Sequence, residues 1–135
     1  MECVAAARKL DLLTTPYAFN VEEARRMTEA GADIVVAHMG LTTKGAIGAR
    51  TAKTLEQSAQ EVAAIAKVCK YIRPEVLMLC HGGPIAMPED AQFVLEKVPE
   101  VDGFYGASSM ERLPVEEAIA GQTRDFKKMK LKNNR

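Results

Sequence analysis

The sequence predicts an α/β protein made of parallel strand–loop–helix units. Short apolar runs of strand length alternate with longer segments of helical periodicity along the chain. The run Val76–Cys80 contains no polar residue, as expected for a strand that is covered on both faces in a parallel sheet. Such alternation produces right-handed crossovers in either an open doubly wound sheet or an eight-stranded barrel. No GxGxxG motif follows the first predicted strand, which disfavours a dinucleotide-binding sheet.

The first part of the chain supplies two of these units after a short helix predicted over Glu2–Lys9. Asn20 is a suitable N-cap, with Glu23 in the capping-box position, and Gly31 is a typical residue to end the helix between them. The elements predicted around these signals are a strand over Asp11–Pro16 that ends at its proline, a helix over Val21–Ala30 and a strand over Ala32–His38.

A long loop, Met39–Lys53, separates the second strand from the rest of the chain. Loops of this length without structure of their own often bind or cover a ligand. We expect residues 1–126 to form a partial domain of four units after the short helix, and residues 127–135 to be a basic, polar tail. The elements predicted after the loop are helix Thr54–Ile72, strand Val76–Cys80, helix Pro88–Lys97, strand Asp102–Gly106, a loop over 107–112 and a helix from Pro114.

The composition excludes several classes of protein. Lysine plus arginine and aspartate plus glutamate each number 18, so the net charge is zero and nucleic-acid binding is not expected. The apolar fraction of 47% is that of a globular chain, and no apolar run reaches membrane-spanning length, so no membrane partner is expected. Three cysteines without CxxC spacing predict free thiols in a reducing compartment, and hence a cytoplasmic protein.

The polar residues sort by the ends of the predicted strands. Three aspartates fall at strand starts, whereas the strand ends carry Thr14, Thr15, His38, His81, Gly82, Gly106 and Ser108. Both α/β architectures bind their ligands at the carboxyl ends of the strands. That edge offers imidazoles, hydroxyls and backbone amides, which suit an anion, and few of the carboxylates that Mg²⁺ prefers. We therefore predict no cofactor and no metal site, and a divalent metal would need ligands from elsewhere.

The turn His81–Pro84 is the best candidate for an anion site. Its two glycines lack Cβ, so backbone N–H groups can turn toward a ligand, and the predicted helix at Pro88 follows closely. A tight turn with an accidental histidine is the alternative interpretation. Histidine titrates near neutral pH, so His38 and His81 suit the roles of acid, base or phosphate donor.

Four motifs occur in order along the chain: LTTPY at 13–17, GADIVVAHMGLTTKG at 31–45, CHGGP at 80–84 and FYGASSMERLP at 104–114. Together they resemble the phosphoenolpyruvate hydrolase-like TIM-barrel family, which is related to the phosphoenolpyruvate mutase and isocitrate lyase superfamily. The resemblance runs from about Leu10 to Lys130, which is nearly the whole chain.

The resemblance implies that this chain forms the C-terminal half of a TIM (β/α)8 barrel. A complete barrel needs about 250 residues, and the four predicted strands resemble the last four. The loops after the last two strands often hold phosphate in such barrels. In the related superfamily, the metal-binding carboxylates come largely from the early strands. Since four strands leave two open edges, we expect the partner to be a second copy in a homo-oligomer or the missing N-terminal half barrel.

The candidate site follows from the strand ends and the resemblance. We expect His38 and His81 to be catalytic. The residues expected to bind the substrate or anion are Thr15, Gly40, Thr43, Lys44, Gly82, Gly83, Gly106, Ser108 and Ser109. Three aromatic residues at strand ends are interpreted as core residues rather than as the lining of a pocket: Tyr17, Phe19 and Tyr105.

Three functions are compatible with this sequence. The resemblance implies an enzyme-like barrel with lyase or hydrolase chemistry on a small phosphorylated or carboxylated metabolite such as phosphoenolpyruvate. The second function is a non-catalytic barrel domain for ligand sensing or protein interaction. The third is an inactive truncated product.

Overall fold

A computed structural model describes residues 1–50 and 53–130, which form one four-stranded parallel sheet with helices. The strands lie in the order β1 (Tyr17–Ala18), β2 (Ile34–His38), β3 (Leu77–His81) and β4 (Gly103–Phe104). The helices are α1 (Glu2–Lys9), α2 (Val21–Glu29), α3 (Leu55–Ile72), α4 (Pro88–Lys97), α5 (Ser108–Glu111) and α6 (Leu113–Lys127). The predicted α/β class of parallel strand–helix units is confirmed.

The register of the sheet brings the two histidines together. β2 and β3 pair over five residues, and His38 lies opposite His81 at the carboxyl end of the pair. β1 pairs with β2 through Tyr17 and Val36, and β4 pairs with β3 through Phe104 and Cys80. The carboxyl ends of all four strands therefore meet at one edge of the sheet.

The first predicted strand, Asp11–Pro16, is wrong in its position. Asp11 has a positive φ of 57° and belongs to the turn after α1. The extended segment starts at Thr14, whose carbonyl accepts the Ile34 N–H, and it continues through the carbonyl of Pro16, which accepts the Val36 N–H. Pro16 lacks only a donor, so it lies inside this pairing instead of ending it.

Helix α2 starts after the predicted N-cap Asn20, α3 starts one residue after the predicted Thr54, and the structure adds the short helix α5. The Asn20 side chain accepts the Glu23 N–H, and Thr54 forms a capping box with Gln57. The predicted loop over 107–112 is wrong in part, because α5 lies within it. Ala107 starts this short helix by accepting the N–H groups of Met110 and Glu111.

One face of the sheet is packed against helices α2, α3 and α4. Val35, Ala37, Met78 and Cys80 are wholly buried on this face with the apolar sides of these helices. The opposite face carries the alternate residues of the same strands, and Leu77 there is 48% exposed. The described residues thus cover one face of the sheet and leave part of the other open.

Aspartates close the amino edge of the sheet. Asp33 accepts hydrogen bonds from both the N–H and the hydroxyl of Thr14, and these bonds hold the pKa of its carboxyl below the usual range. Burial raises the pKa of Asp102, but bonds from the Lys70 ammonium and the Met78 N–H outweigh it, so that this pKa is also lowered.

The cysteines and the end of the chain can be compared with their predictions. Cys3 is exposed, Cys69 and Cys80 are buried, and all three are free thiols. The described helices include none that is long and apolar enough to cross a lipid bilayer. The predicted tail begins within α6, which ends at Lys127, and residues 131–135 lie outside the described part of the chain.

Candidate functional site

Five rings meet at the carboxyl edge of the sheet, and we call them the ring cluster: Tyr17, Phe19, His38, His81 and Tyr105. The ring centroids of His38 and His81 are 4.8 Å apart. Tyr17 stacks almost parallel on His81, with centroids 5.2 Å apart, and meets His38 edge-on at 4.9 Å. The register that pairs His38 with His81 thus gives two imidazoles in contact, framed by aromatic side chains.

His38 ends β2 and is half-buried. Its Nδ1 accepts a hydrogen bond from the Gly40 N–H at 3.0 Å. Burial, and to a lesser degree the neighbouring His81, lowers the pKa of His38 below the usual value for histidine. His38 is therefore a neutral imidazole at pH 7, able to donate or accept hydrogen bonds without carrying charge.

His81 ends β3 and is only 8% exposed. Its Nδ1 lies 2.6 Å from the carbonyl oxygen of Tyr105, which follows β4. This contact joins the third and fourth strand ends, so the His81 turn and the segment leading to Ser108 lie on the same edge of the sheet.

The glycines of the His81–Pro84 turn allow two loops to touch backbone to backbone. Gly82 and Gly83 both have positive φ, at 74° and 59°. A Cβ on Gly82 would collide with the Gly40 carbonyl oxygen, and a Cβ on Gly83 would collide with that of Met39. The Gly83 N–H donates to the Gly40 carbonyl at 2.7 Å, so this amide is already used within the protein.

The long loop after β2 is held by ion pairs and hydrogen bonds to α4 and α6. Lys44 forms an ion pair with Asp90 at 3.0 Å, near the start of α4. Arg112 donates to the Lys44 carbonyl, and the Glu116 carboxylate accepts the Ala46 N–H. The charge of Lys44 is therefore compensated inside the protein.

The other predicted site residues divide between the two edges. Thr43 lies with the ring cluster, because its N–H and hydroxyl both donate to the Gly83 carbonyl. Gly106, Ser108 and Ser109 follow β4 on the same edge, with Gly106 tight against Met110. Thr15 lies before β1, toward the amino edge, so its expected position at the carboxyl end is wrong.

Sequence reasoning missed the aromatic members of the cluster. Tyr17, Phe19 and Tyr105 were expected in the core, but Tyr17 and Phe19 are 37% and 55% exposed and Tyr105 is half-buried. The available signal was their position, because each lies at or just beyond the carboxyl end of a strand. Among residues 1–50 and 53–130, no group of three or more metal-ligating side chains is close enough to hold a metal ion.

Comparisons with known proteins agree with the resemblance seen in the sequence. A model of the phosphoenolpyruvate hydrolase-like family matches residues 1–129. Two tomato (Solanum lycopersicum) proteins, the ToMV resistance protein Tm-1(GCR237) and the ToMV susceptible protein tm-1(GCR26), are each 56% identical over 131 residues. These matches cover 97% of this chain but only 17% of either tomato protein.

A solved structure supports the architecture. Nitroalkane oxidase from Streptomyces ansochromogenes, a TIM-barrel enzyme, superposes with a TM-score of 0.50 and 23% sequence identity. The match covers 81% of this chain and 31% of that one. At this identity the likeness concerns the fold alone, and the four-stranded sheet corresponds to part of a TIM barrel.

Proposed function

The chain belongs to the phosphoenolpyruvate hydrolase-like family, and we propose that its ring cluster binds a small phosphorylated or carboxylated metabolite for lyase- or hydrolase-type chemistry. The observation that carries this proposal is the pair of imidazoles at the carboxyl ends of adjacent parallel strands, 4.8 Å apart. TIM-barrel enzymes place their reacting groups at this end of the sheet. His38 and His81 would supply the acid, base or polarising groups.

The free ring nitrogens support this role. The Nδ1 atoms of both histidines contact backbone groups, whereas neither Nε2 atom has a hydrogen-bond partner within the described residues. Neither Nε2 is sealed from solvent, because the only fully buried, unpaired side-chain polar atom there is Ser58 Oγ. Two accessible, unpaired nitrogens on a rigid edge are groups that a ligand can engage without breaking existing contacts.

An anion at this site would be held mainly by neutral donors. Lys44 already pairs with Asp90, and Arg112 pairs with Glu116 at 2.8 Å. The proposed donors are the N–H of His38, whose Nδ1 already accepts from Gly40, and the Ser108 and Ser109 hydroxyls. Such hydrogen bonds favour a small anion with several oxygen atoms, such as phosphoenolpyruvate, over a large polyanion.

The open face of the sheet supports the proposed partner. Leu77 is 48% exposed beside the half-buried Ile34 and Leu79, although these positions fill the interior in a closed barrel. We propose that further barrel units or a second copy of this chain cover this face. Light scattering measures the mass of the isolated chain in solution, and a hydrophobic dye reports exposed apolar surface. A stable monomer that binds little dye would contradict this proposal. The free thiols are compatible with a cytoplasmic setting.

Nuclear magnetic resonance of the imidazoles tests the ligand. Phosphoenolpyruvate or inorganic phosphate should shift the signals of both histidines, and His38→Ala should weaken binding about tenfold or more because it removes the imidazole donor. Lys97→Met is the matched control, because Lys97 forms an exposed ion pair with Glu56 away from the cluster. Unchanged histidine signals at saturating phosphoenolpyruvate, or equal affinity in His38→Ala, would overturn the proposal.

An interaction domain without catalysis is the second candidate function. Helix α6 carries an apolar stripe of Val115, Ile119 and Phe126, each more than half exposed. The two tomato relatives bear names that refer to resistance and susceptibility to a virus, not to a reaction. Binding of metabolites without turnover, even in a full-length relative, would favour this function over the enzyme.

A further inference from the structure

We infer that the backbone holds the two imidazoles in opposite neutral tautomers, so that His38 donates and His81 accepts through Nε2. This polarity selects a 2-hydroxy acid over the 2-oxo acid of the same carbon skeleton. The inference rests on the proposed function, because it takes the ring cluster as the ligand site. It goes further by giving each imidazole a separate role and by naming the ligand class.

The contact of His38 fixes its tautomer. The Gly40 N–H can only donate, and it points to His38 Nδ1 at 3.0 Å. A ring nitrogen that accepts a hydrogen bond carries no proton, so the single proton of neutral His38 lies on Nε2. Gly40 has a positive φ of 107°, a conformation that glycine adopts readily.

The contact of His81 fixes the opposite tautomer. The Tyr105 carbonyl oxygen can only accept, and it lies 2.6 Å from His81 Nδ1. That nitrogen must therefore carry the proton, and Nε2 of neutral His81 presents a lone pair. Stacking of Tyr17 on the His81 ring opposes a ring flip, which would put a carbon in the place of Nδ1.

The two roles act on one ligand because the rings are neighbours. Their centroids are 4.8 Å apart, and both Nε2 atoms lack a partner in the described part of the chain. In a 2-hydroxy acid, a carboxylate oxygen accepts the His38 Nε2–H while the adjacent hydroxyl donates to His81 Nε2. A 2-oxo acid offers only acceptors, so its keto oxygen would face the His81 lone pair.

The first test reads the tautomers directly in the unmodified chain. Nitrogen-15 spectra that correlate ring nitrogens with ring carbon-bound protons distinguish protonated from unprotonated nitrogens. At pH 8 we expect His38 as the Nε2–H form and His81 as the Nδ1–H form. The same tautomer at both histidines, or rapid averaging between tautomers, would overturn the inference.

The second test compares lactate with pyruvate at pH 8 in the intact chain. Lactate should bind about threefold to tenfold more tightly, the effect of one satisfied hydrogen bond in place of a mismatched one. His81→Asn keeps a donor toward Tyr105, but its shorter side chain has no acceptor at the position of Nε2, so it should abolish the preference. His38→Asn keeps an acceptor for Gly40, but it has no donor at the position of Nε2, so it should weaken both acids alike.

The outcomes separate this inference from the proposed function. If both acids shift the imidazole signals with equal affinity, the ligand site stands and the assignment of donor and acceptor is wrong. If lactate, pyruvate and phosphoenolpyruvate all leave both imidazoles unchanged, the proposed site and the inference fail together.

Discussion

The two edges of the sheet use polar side chains in opposite ways. At the amino edge, Asp33 is bonded to Thr14, Asp102 to Lys70, and the Arg73 guanidinium to the Ala32 carbonyl. At the carboxyl edge, His38 and His81 each satisfy one ring nitrogen with the backbone and leave the other unpaired within the described residues. Polar groups are therefore engaged within the protein at the amino edge and partly available to a ligand at the carboxyl edge.

If the proposed function holds, this difference separates stability from ligand recognition within one sheet. Groups whose hydrogen bonds are all made inside the protein hold the strands together and have little left to offer a ligand. Groups with an unpaired donor or acceptor contribute less to folding but can bind. The same division between a stabilising and a functional end is known for the two faces of TIM barrels in general.

The largest expected effect comes from the backbone contact at the carboxyl edge. Gly83→Ala places a Cβ against the Met39 carbonyl oxygen at a positive φ. We expect a loss of about 3 kcal/mol in the free energy of unfolding, from strain and clash together. Urea unfolding followed by circular dichroism measures the loss, which would show that the carboxyl edge also contains a strict structural requirement.

Gly40→Ala is the matched control for that prediction. Gly40 also has a positive φ, but nothing lies within 4 Å of the position of its Cβ. We expect a loss of about 1 kcal/mol from backbone strain alone. Equal losses in the two variants would mean that close packing at Gly83 is unimportant.

The next effect should be confined to the amino edge. Asp33→Ala leaves the Thr14 N–H and hydroxyl without their acceptor, and we expect a loss of about 2 kcal/mol in the free energy of unfolding. Affinity for a ligand at the ring cluster should not change. Asp125→Ala, which removes only an exposed ion pair with Lys128, should leave the unfolding midpoint unchanged. A loss of ligand affinity in Asp33→Ala would break the proposed separation of the edges.

The smallest effect is a difference in the pH range over which each edge loses stability. The pKa of His38 is lowered in the fold, so the unfolded chain binds the proton first and stability falls as the pH drops below about 6.5. The lowered pKa of Asp33 and Asp102 gives a second loss that begins only below about pH 4. His38→Phe should remove the first loss and leave the second, as measured by the unfolding midpoint against pH.

Elements with strong local signals could be predicted from the sequence. The apolar run before His81 and the capping residue Asn20 are local signals that need no distant contact. The predicted bounds of β3 and α2 therefore agree with the structure within one or two residues. The equivalent positions of His38 and His81 followed from counting to the strand ends. The position of the short strand β1 could not be predicted. It has only two residues, and its pairing uses carbonyl groups, which proline also has.

The site was harder to predict because its contacts join distant parts of the chain. Lys44 pairs with Asp90, which lies 46 residues later in the sequence. No local sequence pattern predicts that pair. The glycines at 82 and 83 were read as a cradle for a ligand, whereas the backbone that approaches them belongs to the loop after β2. Whether a ligand also contacts this turn stays a prediction.

The hydrogen bonds between the two glycine-bearing loops have a mechanical consequence. The Gly83 N–H is bonded to the Gly40 carbonyl, and the Thr43 N–H is bonded to the Gly83 carbonyl. These bonds join the two loops at their base. A displacement of the loop after His38 would therefore strain the segment after His81 as well.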